Sequence, residues 1–521
     1  MRDTICSLPE SFDFDQLTQD IARSFGYRKE PLRSVAQIVF DTFDWRLFKK
    51  GKTLVREGNW LFLAALDRWD PEGRIVWKKR KAPEFWWDIT QGDLRPQLKS
   101  MLDVRALLPV MRVSKTIHML RILNADEKTV AKVQFETCRA RAKSGSSHRI
   151  DFLTLLPVRG YASEFRAVQK FLKDAGLVEE KESIYVELMR GLGLEPGAYS
   201  SKFRIDLEPG LPAVEAARRI IGHLLEIMKK NEAGLMADTD TEFLHDYRVS
   251  IRRIRSALRQ MKGVFPKEKT ARFRTAFADI GKSTNWLRDL DVYLLKKDPY
   301  RAMLPEYLAP GLDRLFRDLA QERNKELASV AKSLQSARYR KTVAQWERFV
   351  ASSMHYSEEE APEAGRPIQE LASDLIYKRY QKIIASGQKI TDDSPDEALH
   401  RLRISCKRLR YLLEFFASLF PEKEIGRLIG QLKKLQDHLG DFNDLCVQQQ
   451  QLEGYLGRLE ESREEAALTA AAVGGLITSL NLKQQAVRLD FKKRFQAFSS
   501  RNNQALFQRL FKTSRAEGEA K

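Results

Sequence analysis

The chain has 521 residues, with 90 Lys+Arg against 71 Asp+Glu and a formal net charge of +19. That length predicts two to four domains with ample core, and 43% apolar with 31% charged residues is a globular balance that excludes a disordered or fibrous chain. The excess of base points to an anionic partner; nucleic acid, an anionic membrane surface and a free polyanion all satisfy it.

No uncharged apolar run near the roughly 18 residues of a membrane span stands out, so no membrane association is expected. The stretch Met1–Asp13 has no apolar core of a secretory signal. Cys6, Cys138, Cys406 and Cys446 are scattered without paired spacing, so neither a disulfide framework nor a zinc ribbon is expected. On these grounds the chain reads as cytoplasmic.

Residues 1–197 hold six of the tryptophans, Trp45, Trp60, Trp69, Trp77, Trp86 and Trp87. Ser34–Asp41 and Thr129–Glu136 alternate as strands do. Pro71-Glu-Gly73, Asn124-Ala-Asp126 and Ser144-Gly-Ser-Ser147 read as turns, and helical patterns occur at about 12–25 and 162–176. The expectation is an α+β domain with an antiparallel sheet. Gly191–Gly197 reads as a linker. Beyond Pro212 a 3.6-residue period takes over, interrupted by loops at 357–365 and 392–395.

The helical part contains an internal repeat. His245-Asp-Tyr-Arg-Val-Ser-Ile-Arg-Arg-Ile-Arg255 recurs 155 residues later as His400-Arg-Leu-Arg-Ile-Ser-Cys-Lys-Arg-Leu-Arg410. Pro212 and Glu215 map onto Pro367 and Glu370, and Phe265-Pro266 onto Phe420-Pro421. Leu287–Asp291 matches Leu439–Asn443 at a slightly shorter spacing. Two units, about 205–350 and about 365–515, each with roughly four helices, predict a pseudo-symmetric pair of bundles.

On a helical wheel, Arg248, Arg252, Arg255 and Arg259 fall in one stripe beside His245, while Tyr247, Ile251, Ile254 and Leu258 form the neighbouring apolar sector. The second copy repeats this, with His400, Arg403, Lys407 and Arg410 beside Leu402, Cys406, Leu409 and Leu413. A row of like charges at i, i+3 and i+4 opposes the helix by roughly 0.2–0.5 kcal/mol per pair. One explanation is pairing with acids on neighbouring helices, for which Asp289, Asp291, Asp441 and Asp444 are candidates. The other is a shared basic groove or channel for a long anion with regularly spaced charge. The matched histidines suit donation to phosphate oxygens; neither has a second His or Cys at i+3 or i+4, so no metal role is expected. Arg253, Arg408, Arg219, His223, Lys378, Arg379, Lys382 and Arg323 complete the candidate anion-binding set.

The segments Leu244–Ser256 and Leu399–Tyr411, with Thr284–Tyr293 and Leu439–Asp444, resemble the signatures of the CHAD domain, the conserved-histidine α-helical domain. The resemblance covers about 205–510, within a helical domain placed at 205–515. It implies two four-helix bundles about a basic central pore that binds inorganic polyphosphate, through the two histidines and the cationic stripes. Phe40-Asp-Thr-Phe-Asp-Trp-Arg-Leu47 is similar to a strand motif of the CYTH triphosphate-tunnel family, Leu54-Val-Arg-Glu-Gly58 to its next strand, and Ala131–Glu136 to a later one. That family opens with Glu-x-Glu-x-Lys, which is missing before Phe40 here, and the late acidic strand is reduced to Arg149-Ile-Asp-Phe-Leu-Thr154. Metal-assisted phosphoryl chemistry needs clustered carboxylates, so the first domain is expected to be a degenerate, non-catalytic relative. Its remaining base, including Arg56, Lys78, Lys79, Arg80, Lys115 and Arg121, could still meet phosphate.

The leading expectation is therefore a non-catalytic polyphosphate-binding protein without cofactor, metal or catalytic residues, in the cytoplasm and on polyphosphate granules. The alternatives are a metal-dependent polyphosphatase or triphosphatase acting in the first domain, and a nonspecific nucleic-acid-binding protein. No helix-turn-helix, zinc-finger or aromatic RNA-binding signature favours the last.

Overall fold

Alternating apolar residues in the first two hundred positions pair into one antiparallel sheet in the computed structural model, which describes residues 3–8, 12–66, 71–90, 92–179, 182–352, 355–459 and 464–512. Trp69, the first two residues and the end of the second repeat beyond Lys512 lie outside the described residues. The chain divides into two compact units, Met1–Ser201 and Lys202–Lys521.

The first unit contains β1 (Thr4–Ser7), α1 (Phe14–Ser24), β2 (Gly26–Lys29), β3 (Arg33–Asp41), β4 (Lys52–Glu57), β5 (Trp60–Ala65), β6 (Pro71–Val76), α2 (Leu94–Leu102), β7 (Leu108–Leu123), β8 (Thr129–Ala142), β9 (Ser147–Pro157), α3 (Ala162–Asp174), β10 (Val178–Glu179) and α4 (Ile184–Gly191). The sheet order is β10-β1-β9-β8-β7-β3-β4-β5-β6, with β2 also on β7. Pro71-Glu-Gly73, expected as a turn, instead opens β6. Pro71 is the first residue of an edge strand, where its missing N–H breaks no ladder. Gly73 takes φ +62°, beside a register shift between Leu61 and Leu63, so the glycine makes a bulge there.

Period-two alternation divides the sheet's residues between two faces. The inner face carries Val39, Val55, Val113, Cys138, Ala140 and Phe152, packed against Ile184, Leu188 and Met189 of α4. The outer face is covered in two places. Leu17 and Ile21 of α1 and Phe165, Val168 and Leu172 of α3 sit on Leu120, Ile122, Val133, Leu153 and Leu155; Leu94, Leu98 and Leu102 of α2 sit on Phe40, Leu54, Leu61 and Leu63.

The strand motif at Phe40–Leu47 has a structural use. Asp41, fully buried, accepts from the backbone N–H groups of Thr42 at 2.7 Å, Leu47 at 3.0 Å and Phe48 at 2.8 Å. Asp44 accepts from the Thr42 hydroxyl at 2.7 Å and Arg46 Nε at 3.0 Å, and lies 3.6 Å from buried Arg105. Both carboxylates thus fold the turn after β3.

The second unit is helical: α5 (Ala213–Met236), α6 (Thr241–Gln260), α7 (Lys267–Ser283), α8 (Asn285–Leu295), α9 (Lys297–Arg301), α10 (Gly311–Gln335), α11 (Ala337–Ala351), α12 (Ile368–Gln388), α13 (Asp396–Phe415), α14 (Glu422–Leu456), α15 (Glu464–Phe498) and α16 (Arg501–Phe511). Prolines at 212, 266, 367, 395 and 421 stand immediately before α5, α7, α12, α13 and α14, fixing φ where a helix begins. Helix α6 is capped by Asp240, which accepts from the N–H groups of Glu242 and Phe243.

Both ends of α13 lie 155 residues after those of α6, and α14 begins 155 after α7. The first repeat breaks its rod at Thr284, between α7 and α8, while α14 runs on unbroken. At the start of each repeat the chains meet in an antiparallel bridge, Pro212 opposite Pro367. Ala213 N–H donates to Arg366 C=O at 2.9 Å and Ile368 N–H to Leu211 C=O at 2.9 Å, so each bond is the other's counterpart under the repeat.

One expectation is corrected. The run 466–482 carries no charged residue, and the helical stretch Ala466–Phe498 is long and apolar enough to span a membrane by length and composition. In the structure Ala472, Val473, Leu476 and Leu480 of this helix form a core with Leu312, Leu315 and Phe316 of α10 and Leu452 of α14.

Asp41→Ala leaves three buried or part-buried N–H donors without their acceptor, each worth about 1–3 kcal/mol. The variant is expected to lose about 3 kcal/mol or more of the first unit's stability, read by denaturant unfolding of the full chain through tryptophan fluorescence.

Candidate functional site

The apolar sectors of the repeated helix are buried: Tyr247, Ile251, Ile254 and Leu258 on α6, and Leu402, Cys406, Leu409 and Leu413 on α13. This leaves the cationic stripes at the border of the core, and α6 and α13 pack against each other. Between α6, α7 and α13 lies a cleft of about 570 Å3 lined by Arg252, Arg255, Arg259, Arg274, Lys282, Arg403, Lys407 and Arg408, with Ser256, Thr275, Tyr411 and one carboxylate, Asp279. Both repeats contribute cations to it.

The charges in this cleft are not neutralised in proportion. Asp279 lies 3.8 Å from Arg338, and Arg403 reaches Asp444 at 3.4 Å. Lys407 is half-buried. Burial, with Arg403 and Arg252 beside it, pushes its ammonium down to about 7. Burial, followed by Arg259 and Arg379, likewise lowers Arg408. Arg379 of α12 is lowered by burial and by Arg259, though it does not line the cleft. An arginine keeps its charge at neutral pH regardless, so this is a cluster of repelling cations.

The other candidates are distributed differently. Arg248 donates to Gly281 C=O at 3.1 Å, the Thr284 hydroxyl at 2.8 Å and Asn285 Oδ1 at 2.8 Å, tying α6 to the break between α7 and α8. His400 Nδ1 is 2.5 Å from Asn443 Oδ1, and half-buried His245 opens the matching stripe on α6; neither histidine lines the cleft. Arg410 faces Glu414 at 3.1 Å. Arg219 pairs with Glu215 and Glu208 on the helix surface. The His223 ring stands edge-on to Phe203 at 5.5 Å, and burial lowers its affinity for a proton. Lys378 and Lys382 are exposed on α12.

Two candidates have structural tasks. Arg323 binds Asp291 at 2.9 Å and Asp238 at 2.5 Å, joining α10 to α8 and to the turn after α5. Arg253 is 8% exposed and donates to Glu414 at 2.7 Å, linking α6 to α13. Under the 155-residue repeat, Arg253 corresponds to Arg408 and Glu414 to Arg259. The counterpart of this interhelical ion pair is therefore an arginine facing an arginine, and that unpaired side is the one that opens into the cleft.

Sequence reasoning placed Arg259 on the stripe but not in the site, and it missed Arg274 and Lys282 of α7. Their repeat counterparts, Ile429 and Asp437, are not basic, so the repeat could not reveal them. The spacing 274, 278, 282 along one helix face, beside a helix already known to carry cations, was the available signal.

Residues 219–453 match the family model of the CHAD domain, and the chain carries a CHAD domain there. Two uncharacterised proteins of Mycobacterium tuberculosis are each 25% identical over 253 residues, covering 46% of this chain and 45% of the relative, so the chain aligns with about half the length of the curated relatives it matches. Among solved structures, the CHAD domain from the plant Ricinus communis is 25% identical with a TM-score of 0.49, covering 58% of this chain and 97% of that one. PptA from Streptomyces chartreusis is 16% identical with a TM-score of 0.41, covering 55% of this chain and 100% of that one.

Removing one member of a buried ion pair leaves its partner's charge uncompensated, at a cost of about 3–5 kcal/mol. Glu414→Ala is expected to lower the melting temperature of the helical unit markedly. The double change Arg253→Met with Glu414→Leu is expected to recover most of that loss, both read by circular dichroism on heating.

Proposed function

We propose that the helical unit binds inorganic polyphosphate without catalysing its breakdown, and that the cleft between α6, α7 and α13 is the binding surface. The observation that carries this reading is the gathering of eight cationic side chains from both repeats around one carboxylate in a single cleft. Like-charge repulsion of that density opposes folding unless an anion relieves it, and charge-assisted bonds to non-bridging phosphate oxygens are each worth about 1.5–3 kcal/mol. Polyphosphate has no side groups to read, so spacing of charge is the whole of the recognition. The CHAD resemblance points to the same ligand.

The non-catalytic part of the reading rests on the first unit. The oxygens of Asp41 and Asp44 are committed to the turn after β3, and Glu136 faces Lys115 at 3.5 Å with both side chains buried. A polyphosphatase would release phosphate in the presence of Mg2+ or Mn2+; we expect none from the full chain. The same reading puts the protein in the cytoplasm, at polyphosphate granules.

Arg252→Ala with Lys407→Ala is expected to weaken long-chain polyphosphate binding at least about tenfold, the equivalent of about 1.4 kcal/mol, with unchanged helicity. Titration calorimetry at physiological salt beside duplex DNA decides the matter: equal loss of helicity and binding, or equal affinity for DNA, defeats the proposal.

Lys407 adds a pH dependence. Free, it holds its proton only below about 7; a bound phosphate favours the charged form and raises that value. Binding at pH 7–8 should then take up a fraction of a proton, measurable as a dependence of the calorimetric heat on buffer, and affinity should fall as pH rises above 7. In the free protein the sign is opposite. The folded state binds fewer protons at Lys407 than the unfolded state above pH 7, so this group's contribution to stability improves as pH rises from about 7 toward 10. Lys407→Arg, always charged, is expected to remove both effects.

A further inference from the structure

The outer face of the sheet in the first unit is covered by α1 and α3 at one place and by α2 at another. The strip between them is bare. It forms a cleft of about 910 Å3 whose rim includes Arg56, Arg112, Arg139, Arg141 and Arg149, with Ser114 and Ser147. Its floor is small and apolar, from Ala36 and Ile38.

The register shows that these arginines share one face. Arg112 on β7 lies directly opposite Arg141 on β8, and Arg139 on β8 directly opposite Arg149 on β9. Like charges directly opposite in a sheet destabilise it, and here two such pairs adjoin. Arg149 is answered by Asp151 at 2.8 Å. Arg56 donates to the carbonyls of Gly58, Lys79 and Arg80, which draws the basic 78–80 segment to the rim. Arg112, Arg139 and Arg141 are exposed and have no carboxylate partner among the described residues.

The inner face shows the opposite arrangement. A cavity of about 610 Å3 there is lined by Lys115, Arg33 and Arg74 together with Glu57, Glu136 and Glu30. Lys115 is paired with Glu136, and Glu57 accepts from Gln37 at 2.8 Å. Base is balanced by acid inside the curl of the sheet and unbalanced outside it.

We propose that this outer arginine face is a second polyanion site, and that its occupant is an inorganic polyphosphate chain. The occupant follows from what lines the cleft. Proteins that hold single-stranded nucleic acid supply aromatic platforms on which bases stack; among the described residues lining this cleft the only one with a ring is His148, and that ring lies against Gly191 of α4 on the inner face. Guanidinium groups and hydroxyls remain, and these read phosphate oxygens. The inference rests on the polyphosphate reading of the helical unit, since one ligand is taken to serve both.

The test uses the full chain and long-chain inorganic polyphosphate in titration calorimetry, with four proteins: wild type, Arg252→Ala/Lys407→Ala, Arg112→Gln/Arg139→Gln/Arg141→Gln, and all five changes together. Wild type is expected to show two classes of site. Residual binding in the Arg252→Ala/Lys407→Ala protein should fall at least about tenfold when the three glutamines are added. The glutamine variant should melt at the same temperature as wild type or higher, because repulsion across the ladder is relieved. Residual binding that is unchanged by the glutamines overturns the proposal, as does a lowered melting temperature, which would make the arginines structural. Displacement of polyphosphate from this face by single-stranded RNA at equal phosphate concentration overturns it in favour of nucleic acid. Wild-type binding by Arg252→Ala/Lys407→Ala together with loss in the glutamine variant would defeat the helical reading and leave this site standing.

Discussion

Two backbone hydrogen bonds across the bridge of Pro212 and Pro367 bind the start of one repeat to the start of the other. Proline presets φ on both sides of the bridge, so the crossing is stiff, and it sends α5 and α12 away from a common point. The second helix of each repeat then returns toward the shared region, where α6 and α13 pack together. This brings two stripes 155 residues apart in sequence to one cleft. Moved apart, each stripe would be a solvated surface row of modest consequence. Together they make a concentration of positive charge that water screens poorly.

The structure does not treat all of these cations alike. At the amino-terminal ends of α6 and α13, polar and acidic groups answer the charge, with Asn285 and Gly281 for Arg248, Asn443 for His400 and Asp444 for Arg403. Farther along, Arg252, Arg255, Arg259, Lys407 and Arg408 crowd one cleft, while Arg410 at the end of the α13 stripe is answered again by Glu414. The explanation by pairing with acids and the explanation by a basic groove therefore each apply to part of the stripe. In the middle of the crowd sits Lys407, pushed down to about 7 first by burial and then by Arg403 and Arg252 beside it.

Much of this was legible from residues alone. The strands at 34–41 and 129–136, the helices near 12–25 and 162–176, and the apolar sectors of both copies of the repeated helix follow from periodicity, because burial on one side imposes it. Arg253 shows where that reasoning stops. At about 100° per residue it stands clear of both the cationic stripe and the apolar sector, and whether such a position is a structural ion pair or an open cation depends on the residue opposite; Glu414 and Arg259 differ. Arg323 could not be sorted either, since Asp238 and Asp291 come from turns and helices whose approach only the fold reveals. Arg274 and Lys282 escaped because they have no basic counterparts in the other repeat. The outer arginines of the sheet escaped because alternation marks them merely as solvent-facing; strand register is what sets them against one another.

The ion pair of Arg253 with Glu414, facing its counterpart of Arg408 with Arg259, has a consequence for how such a molecule can diverge. In a homodimer of a single repeat, any residue change appears on both sides of the axis at once. A glutamate that stapled one side would close the other as well, and an arginine that opened one would loosen both. Fusing the two copies into one chain releases that constraint. One side has become a fastening and the other has stayed a mouth, a division of labour that two identical subunits could not encode.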